Sequence, residues 1–529
     1  MVTYASPRVS LAPYPDLHLS HYLEQMAAQK PNHVAFVDSV TGAEHTYRET
    51  LQAASRLGRK LQEDGVKKGD RVAIFSPNSC EYVVAFHAIL LAGATVTTMN
   101  PLYREREIEH QLHDSGAKAI FAASTCIDLA EAAVKGKGAV YTLDDAWLMA
   151  GSAPGEHKPV KINPREDLAV LPYSSGTTGG PKGVMLTHYN VTSNIRQTIA
   201  TGLVDGYSVL IDFLPFFHIY GMVVLMNAGI ATGAKQVVMP RFEAEPFLKL
   251  IGQYQATNLF VVPPVMLALA NLPESVPVDL SCVRYIMSGA APLPVDIGRK
   301  VAERYDVTVL QGYGMTEASP VTHVSMIGRD KPGSVGPPVS DTTQKVVDMQ
   351  SGAELGFDEI GELLIEGPQV MKGYLNNEAA SKETLLHERK PEDGEEAWRG
   401  TWLRTGDVVS MDDEGYVTIH DRAKEMIKYK GYQIAPAELE ALLVEHPAVV
   451  DAAVIPKFDV ESGEVPKAFV VLREGEDASS DDIATFVASR VAPYKKIREI
   501  EFIGAIPKNP SGKILRRELI EQERSRSAK

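Results

Sequence analysis

The stretch YSSGTTGGPKG, Tyr173–Gly183, is the most distinctive part of the chain and follows an apolar run. It brings hydroxyl groups, glycines and one lysine, Lys182, together in a short segment. Glycines let backbone N–H groups turn towards an anion, and hydroxyls add further donors. Lys182 adds a point charge that suits phosphate. The order of residues favours a phosphate-binding loop over a flexible surface loop, and it differs from the Walker pattern.

Around this loop, short β-branched runs alternate with helical patterns over roughly the first 420 residues. Arg71–Phe75 predicts a buried strand, and helical periodicity follows in Glu81–Leu91. Such alternation predicts a layered α/β architecture with largely parallel sheets. The same strand-then-turn pattern recurs in Lys118–Ala123, Ala169–Ser175, Asn258–Pro264 and Val283–Gly289.

The length of 529 residues exceeds what one hydrophobic core supports, so at least two domains are expected. Composition shifts at Asp421–Lys424, where a lysine-rich segment begins. We therefore expect a large N-terminal domain over 1–421 and a small, mobile α+β domain over 422–529. Gly361–Gly367, GELLIEG, predicts a β-rich subdomain within the large domain.

Composition limits the classes of function. The net charge of −15 and the pI near 5.5 argue against non-specific binding to nucleic acid or anionic membranes. Three distant cysteines show no disulfide or zinc pattern, which fits a reducing cytosol. The longest apolar stretch, Tyr82–Val96, is too short and too interrupted to span a bilayer. Neither terminus resembles a secretory or peroxisomal signal, so we expect a cytoplasmic protein without integral membrane contact.

The phosphate loop resembles the signature loop of the acyl-adenylate-forming superfamily, which includes acyl-CoA synthetases, adenylation domains of peptide synthetases and beetle luciferase. The resemblance covers nearly the whole chain and is closest to the branch of 4-coumarate–CoA ligases and acyl-CoA synthetases. It implies an AMP-forming acid–thiol ligase that uses ATP, Mg²⁺, coenzyme A and a small carboxylic acid, as a monomer or homodimer. The further motifs that carry it, in the family's order, are Ser288–Pro292, Gln311–Glu317, Trp402–Asp407, Asp421–Ile434 and Pro507–Leu519.

The resemblance implies a role for each residue of the nucleotide site. Tyr313 matches the aromatic residue that stacks on adenine, and Thr316 matches the contact to the α-phosphate. Glu317 matches the Mg²⁺ ligand, as a hard cation prefers carboxylate oxygen. Asp407 and Arg422 match residues that contact ribose or phosphate. Further nucleotide contacts are implied at Ser174, Ser175, Gly176, Thr177, Thr178, Lys182, Ala290, Gln311 and Gly312.

Two basic segments of the C-terminal domain match the family's two half-reactions. Lys513 matches the lysine that bridges the attacking carboxylate and the α-phosphate, a contribution of ~3–4 kcal/mol to the transition state. Lys424 matches the hinge, where Ala423 replaces the usual leucine. Rotation of the small domain would then serve thioester formation. The residues expected to approach the adenylate or coenzyme A are Lys428, Lys430, Gly431 and Gln433.

FLPFFHIYGM, Phe213–Met222, resembles the acyl-pocket motif of 4-coumarate–CoA ligases. The resemblance implies that His218 gates or shapes the pocket, although a lone histidine between aromatics is often a core residue. Tyr220 would contact the acid, and Arg241 would meet coenzyme A phosphates. The pocket wall is expected to include Met287, Gly314, Val321 and Thr322.

The acid itself stays open between a hydroxycinnamic or other aryl acid and a medium- or long-chain fatty acid. The family box commonly reads GEICIRG, whereas this chain has GELLIEG, with Ile365 and Glu366, and that departure argues against a close plant orthologue. A carrier-protein-loading enzyme is the less favoured alternative, because FFHIYG lacks the aspartate such domains use. A luciferase-like oxygenase stays possible on sequence. A non-catalytic relative is disfavoured because the residues expected in catalysis are all retained.

Overall fold

The structure is a computed structural model. It describes the chain except for residues 1, 137, 175–180, 274, 277, 291–292, 294, 350, 391, 393–394, 397, 423–426, 431, 435, 474, 508–513, 515 and 528–529. Side chains at 267, 271, 296, 420–422, 433, 437, 441, 517 and 527 are also outside the description. The predicted site residues that therefore lie outside the described residues are Ser175, Gly176, Thr177, Thr178, Lys424, Gly431 and Lys513, with the side chains of Arg422 and Gln433.

The described strands build four sheets. In chain order they are β1 (Thr3–Ala5), β2 (Val34–Asp38), β3 (Glu44–Thr46), β4 (Arg71–Phe75), β5 (Thr95–Met99), β6 (Ala119–Ala122), β7 (Ala139–Thr142), β8 (Leu168–Val170), β9 (Tyr173–Ser174), β10 (Lys182–Thr187), β11 (Val209–Asp212), β12 (Lys235–Val238), β13 (Asn258–Val261), β14 (Tyr285–Ser288), β15 (Thr308–Gly314), β16 (Val321–Val324), β17 (Thr343–Val347), β18 (Gly361–Glu366), β19 (Gly373–Tyr374), β20 (Leu385–His387), β21 (Thr401–Met411), β22 (Val417–Arg422), β23 (Ile427–Tyr429), β24 (Tyr432–Ile434), β25 (Val449–Asp459), β26 (Gly463–Leu472) and β27 (Glu499–Phe502).

Helices alternate with these strands. They are α1 (His21–Gln29), α2 (Tyr47–Glu63), α3 (Cys80–Leu91), α4 (Glu105–Ser115), α5 (Ile127–Val134), α6 (Ala146–Ser152), α7 (His188–Ala200), α8 (Ala228–Thr232), α9 (Ala244–Tyr254), α10 (Pro263–Asn271), α11 (Val295–Tyr305), α12 (Glu378–Thr384), α13 (Pro436–Val444), α14 (Ser480–Ala488) and α15 (Arg516–Ser527). A π-helical segment covers Tyr220–Asn227, and short 3₁₀ turns cover Ser124–Cys126, Leu143–Asp145, Thr316–Ala318 and Pro493–Lys495.

One eight-stranded sheet has the order β19-β10-β8-β5-β4-β6-β7, with β9 beside β10. Strands β8, β5, β4, β6 and β7 are parallel, while β10 runs antiparallel to β8 and β19. The strand-then-turn pattern of Ala169–Ser175 corresponds to β8, which ends at Val170, and to β9, which covers Tyr173–Ser174. Pro172, which has no backbone N–H to donate, lies between them.

A second eight-stranded sheet has the order β16-β15-β14-β13-β11-β12-β2-β3. Its inner strands are parallel, and β16 and β3 add antiparallel edges. The alternation of strands and helices thus gives the predicted layered α/β architecture. One detail differs: the sequence predicts that the motif Gln311–Glu317 follows a strand, but its first four residues, Gln311–Gly314, lie within β15. Pairing with β16 extends β15 to Gly314.

The predicted β-rich subdomain is an antiparallel sheet with the order β1-β17-β18-β21-β20 and with β22 beside β21. Glu366, which replaces the usual arginine of the family box, is only 5% exposed at the end of β18. Its carboxylate lies 3.0 Å from the guanidinium of Arg399 and accepts a 2.9 Å hydrogen bond from the Gly400 N–H. The buried acid is therefore compensated locally, as burial of a charge requires.

The apolar stretch Tyr82–Val96 is core rather than a membrane segment. Every residue of α3 except Glu81 is buried, and all of β5 is buried. A helix that is apolar on all sides belongs in the centre of a large domain. In the part of the chain that the structure describes, we find no helix with the length and hydropathy needed to cross a bilayer.

The chain forms two compact units. The first contains the three sheets described above, over Met1–Pro101, Glu109–Tyr173 and Gly183–Asp421, and the second comprises Leu102–Ile108, Ser174–Lys182 and Arg422–Lys529. The C-terminal part folds as a sheet of order β24-β23-β26-β25, with β27 parallel to β26, covered by α13 and α14. This is the predicted α+β composition. The functional division at 421/422 and the mobility of the small domain stay predictions.

Candidate active site

Two predicted nucleotide motifs lie side by side at the carboxyl ends of β14 and β15. Ser288, the last residue of β14, pairs in register with Gln311 of β15. Ala290 follows with φ +69°, a left-handed conformation that is uncommon outside glycine. Ligands of α/β sheets bind at this edge. The fold therefore places both motifs where a nucleotide could contact them together.

Tyr313 and Asp407 meet in the centre of this site. The Tyr313 hydroxyl donates a 2.5 Å hydrogen bond to Asp407 Oδ2, although the two residues are far apart in sequence. Asp407 is only 2% exposed, and the ring of His323 packs 5.7 Å from that of Tyr313. Burial lowers the pKa of His323 to about 4, so the ring is neutral at pH 7. The residues expected to contact adenine and ribose are thus neighbours.

The part of β21 that carries Asp407 is held by Glu362 of β18, which the sequence reasoning did not identify. Glu362 is 5% exposed and accepts hydrogen bonds from Arg404 Nε at 3.1 Å and the Gly406 N–H at 3.2 Å. Thr405 Oγ1 accepts from the Asp407 N–H at 3.1 Å. A buried carboxylate with these donors fixes the backbone on which Asp407 sits.

Glu317 lies in the 3₁₀ turn after β15 and is 6% exposed. Its Oε1 accepts a 2.8 Å hydrogen bond from the hydroxyl of Tyr374. Burial and the adjacent Glu317 carboxylate together raise the pKa of Tyr374 well above its ordinary value, so the phenol keeps its proton and donates. Tyr374 is a second site residue that the sequence reasoning missed.

The donor set around Glu317 fits Mg²⁺ bound together with a triphosphate. Mg²⁺ usually keeps several waters and takes one or two carboxylates plus substrate phosphates. The described residues contain no group of three or more His, Cys, Asp and Glu side chains that could form a closed metal cage. A single buried carboxylate beside the nucleotide motif suits the first arrangement.

The two ends of the phosphate loop are held together. Ser174 ends β9 and Lys182 begins β10, and these strands pair. A Cβ atom on Gly183 would lie 3.1 Å from the Tyr173 ring, so glycine permits close packing there. Tyr173 is fixed by a 2.7 Å hydrogen bond from its hydroxyl to Asp114.

His218 lies two residues before the π-helical segment. Its side chain is reached by solvent, yet the protein around the ring lowers its pKa to about 4. Both properties are expected of a ring that lines a deep cleft. The Tyr220 N–H donates to His218 Nδ1 at 3.2 Å, so the neutral ring carries its proton on Nε2.

Tyr220 begins the π-helical segment, a type of helix that is frequent at functional sites. Its ring packs on Gly289, where an added Cβ would lie 3.2 Å from Cε1. The hydroxyls of Tyr220 and Ser288 are both buried, and neither has a hydrogen-bond partner among the described residues. Buried hydroxyls normally find partners, so these two are candidates to bind a ligand.

Apolar residues form the rest of the predicted acyl-pocket wall. A Cβ on Gly312 would lie 3.5 Å from Met287 Sδ, and Met287 is 3% exposed. Val321 belongs to the same hydrophobic cluster as Met287 and pairs with Gly314. A Cβ on Gly314 would lie 2.2 Å from the carbonyl oxygen of Pro320, so only glycine fits there. The structure thus brings the predicted acyl-pocket residues together.

Two family descriptions match the chain. "AMP-binding enzyme" matches residues 23–375, and "AMP-binding enzyme C-terminal domain" matches residues 438–513. The chain belongs to the AMP-binding enzyme family. The predicted resemblance to the acyl-adenylate-forming superfamily is thereby confirmed.

Named relatives of this AMP-binding enzyme are CoA ligases. It is 39% identical to "4-coumarate--CoA ligase 1" of Oryza sativa subsp. japonica, over 96% of this chain and 92% of the relative. It is 38% identical to "Peroxisomal OPC-8:0-CoA ligase 1" of Arabidopsis thaliana, over 99% and 97%. The predicted enzyme class, an AMP-forming acid–CoA ligase, is confirmed.

Solved structures of one bacterial enzyme and one archaeal enzyme share the fold. The o-succinylbenzoate CoA synthetase of Bacillus subtilis has a TM-score of 0.82 at 28% identity, covering 94% of this chain and 98% of that one. A long-chain-fatty-acid–CoA ligase of Archaeoglobus fulgidus has a TM-score of 0.78 at 29% identity, covering 94% and 99%. The predicted fold class is therefore confirmed.

The structure also describes three further predicted residues of this AMP-binding enzyme, Arg241, Lys428 and Lys430. Arg241 is 82% exposed and forms a 2.6 Å ion pair with Glu243. In the small unit, the Lys428 N–H donates to Glu464 Oε2 at 2.7 Å. Lys430 is exposed with φ +47°. The proposed contacts of Arg241, Lys428 and Lys430 with coenzyme A or the adenylate stay predictions.

Proposed function

We propose that this enzyme activates an aryl carboxylic acid, 4-coumarate or another hydroxycinnamic acid, as an acyl-adenylate and transfers the acyl group to coenzyme A. The hydroxyls of Tyr220 and Ser288 carry the choice of acid. Both are buried, and neither has a hydrogen-bond partner among the described residues. A pocket that is mostly apolar with a few placed polar groups binds a small ligand selectively.

In the first step a carboxylate oxygen of the acid attacks the α-phosphorus of ATP. A P–O bond forms, the bond from the α-phosphorus to the bridging oxygen breaks, and pyrophosphate leaves with the electron pair. Tyr313 and Asp407 would hold adenine and ribose, and Thr316, Lys182 and the phosphate loop would hold the phosphates. Lys513 would offset the repulsion between the two anions, which is preorganised electrostatic stabilisation.

Glu317 would hold Mg²⁺, which supplies charge neutralisation on the triphosphate when bound. The carboxylate is oriented by Tyr374 and lies beside the nucleotide motif. Burial strengthens its interaction with a cation, because few waters compete in a low-dielectric site.

In the second step the coenzyme A sulfur attacks the acyl carbon of the adenylate. The S–C bond forms, the bond from that carbon to the phosphate oxygen breaks, and AMP leaves with the electron pair while the thiol proton is lost. Lys428, Lys430 and Gln433 of the small domain would serve this step after a domain rotation. His218 would shape the cleft through which the thiol meets the acyl group.

A fatty acid is the second candidate substrate. Met287 and Val321 provide apolar wall to an alkyl chain, and relatives of this enzyme include ligases named for fatty and OPC-8:0 acids. An alkyl chain would leave the hydroxyls of Tyr220 and Ser288 unpaired, at a cost of ~1–3 kcal/mol for each buried group. We therefore place aryl acids first.

The choice of acid is tested by acyl-CoA formation with cinnamate, 4-coumarate, benzoate and C6–C16 fatty acids. We expect the highest kcat/KM with 4-coumarate, and Tyr220→Phe should reduce its advantage over cinnamate about 2- to 10-fold. If fatty acids are preferred and Tyr220→Phe changes nothing, the aryl assignment is wrong while the ligase chemistry is retained.

We also propose a cytoplasmic location, which the three distant cysteines favour, and a monomeric or homodimeric state, which the family resemblance implies. Fractionation of the native cell and light scattering on purified protein would test these two statements separately from the chemistry.

A further inference from the structure

Tyr374 has no role in the motifs that carry the chemistry, yet it contacts the carboxylate expected to bind metal. It is 7% exposed, and its hydroxyl donates to Glu317 Oε1 at 2.8 Å. The Glu317 carbonyl also accepts a 2.8 Å hydrogen bond from the Met371 N–H. One short segment therefore holds Glu317 by both its side chain and its backbone.

The same segment is tied to the strand that leaves the phosphate loop. Tyr374 lies opposite Val184 in the antiparallel pairing of β19 with β10, which begins at Lys182. The Leu375 N–H donates to the Gly183 carbonyl at 2.8 Å. Tyr374 thus joins the base of the phosphate loop to the Glu317 carboxylate.

The orientation of Tyr374 is itself fixed. Its N–H donates to Ser381 Oγ at 2.8 Å, and the Ser381 hydroxyl donates to the Asn377 carbonyl at 2.9 Å. Its ring is buried in the large hydrophobic core. A phenol held in this way restricts the rotamers of Glu317 before any ligand binds.

We propose that Tyr374 is a positioning residue for Mg²⁺: its hydroxyl holds Glu317 in the orientation that binds the metal and sets that orientation relative to strand β10. A carboxylate has about four lone-pair positions on two oxygens, so one donated hydrogen bond is compatible with metal ligation. The inference rests on the proposed function, since it assumes that Glu317 binds Mg²⁺ with ATP.

Partners of metal ligands typically change metal affinity roughly 10–100-fold when they are removed. We therefore expect Tyr374→Phe to raise the Mg²⁺ concentration for half-saturation by that factor. Phenylalanine keeps the ring in the core and removes only the hydroxyl, which donates to Glu317 and also hydrogen-bonds with Thr384.

Tyr14→Phe is the matched control. Tyr14 is 3% exposed, and its hydroxyl donates to Asp341 Oδ2 at 2.7 Å. This variant also loses a buried phenol–carboxylate hydrogen bond, but neither residue is among those assigned to the site. It should share any general loss of stability and leave the Mg²⁺ dependence unchanged.

The experiment measures binding of α,β-methylene-ATP to the full chain by calorimetry over a series of Mg²⁺ concentrations, with Mg²⁺-dependent ATP–pyrophosphate exchange as the second readout. A 10–100-fold shift in Tyr374→Phe with none in Tyr14→Phe supports the proposal. An unchanged Mg²⁺ dependence in Tyr374→Phe overturns it.

Two further variants keep the test decisive. In a Glu317→Gln background, Tyr374→Phe should cause no additional shift, whereas a full additional shift would show that Tyr374 acts elsewhere and would overturn the proposal. If Tyr374→Phe fails to fold, Ser381→Ala should raise half-saturation about threefold or more, and no rise overturns the proposal. The wild type could bind the analogue with Mg²⁺ and yet show no pyrophosphate exchange with any of the acids tested. In that case the proposed function fails, while the binding readout still tests the role of Tyr374.

Discussion

The hydroxyl of Tyr313 donates a 2.5 Å hydrogen bond to the buried carboxylate of Asp407, and this contact joins the α/β sheet to the β-rich subdomain at the nucleotide site. Asp407→Asn should raise the KM for ATP roughly 10- to 100-fold, because hydrogen bonds to a charged group are worth about 1.5–3 kcal/mol. Steady-state kinetics with varied ATP measures the change.

Asp412→Asn is the control for this substitution. Asp412 lies just beyond β21, is 27% exposed and pairs with Lys331 at 2.6 Å. Its KM for ATP should equal that of the wild type. Equal KM values for ATP in Asp407→Asn and Asp412→Asn would exclude the proposed ribose contact.

Glu362 should matter for ATP although it lies behind Asp407. Glu362→Ala removes the acceptor of the Gly406 N–H and of Arg404, so the part of β21 that carries Asp407 loses its support. We expect a loss of about 2–3 kcal/mol in the free energy of unfolding and a severalfold higher KM for ATP. Urea denaturation and ATP kinetics measure the two effects.

Glu366→Ala separates support of the site from general stability. Glu366 is also 5% exposed and likewise binds an arginine and a backbone N–H, those of Arg399 and Gly400. It should lose similar stability without a change in the KM for ATP. A rise in KM of the same size in both variants would count against a specific role for Glu362.

Gly289 should set the width of the acyl pocket. Gly289→Ala places a Cβ 3.2 Å from the Tyr220 ring, which must then shift. Overpacking of this kind costs ~1–3 kcal/mol, so kcat/KM for the preferred acid should fall about tenfold or more while the KM for ATP stays constant. Gly252→Ala in α9 has open space around the added methyl and should leave both constants unchanged.

Buried histidines should make stability depend on pH. Burial lowers the pKa of His18 to about 4 and that of His87 to about 3, and it lowers the pKa of His188 as well. Their neutral forms stabilise the fold fully above the unfolded pKa of about 6.5, and this stability is lost as pH falls below that value. Each should add a slope of up to about 1.4 kcal/mol per pH unit between pH 6.5 and 5.

His87→Gln should flatten this slope, because glutamine lacks the titrating ring. Glutamine can still bond Ser20, whose hydroxyl lies 3.0 Å from His87 Nδ1. Exposed His113 is the control, and His113→Gln should keep the wild-type slope. Urea denaturation at several pH values between 7.5 and 5 measures it. A free energy of unfolding that is independent of pH over this range would contradict the interpretation.

Local sequence patterns were sufficient for most of the fold. The strand at Arg71–Phe75 has the predicted bounds, and the helix expected over Glu81–Leu91 begins one residue earlier, at Cys80. Periodicity over a few residues carries this information. The end of β15 was misjudged because β16, a strand reached through the following turn, extends it to Gly314.

Long-range partners could not be predicted from one sequence. Tyr374 lies 57 residues beyond Glu317, and Glu362 lies 44 residues before Gly406. Neither pair follows from local spacing, because only the folded sheets bring them together. The tyrosine of GYL and the first glutamate of GELLIEG were visible signals, but nothing in the sequence named their partners.

The most direct test of the central claim is AMP release by the purified protein with ATP, Mg²⁺ and a panel of aryl and fatty acids, with and without coenzyme A. If the enzyme is an aryl acid–CoA ligase, AMP release requires both an acid and coenzyme A, is fastest with a hydroxycinnamic acid and yields acyl-CoA in equal amount. Absence of coenzyme A-dependent AMP release with every acid would contradict this claim, and acid-dependent ATP–pyrophosphate exchange that persisted in that case would favour a carrier-protein-loading or luciferase-like enzyme.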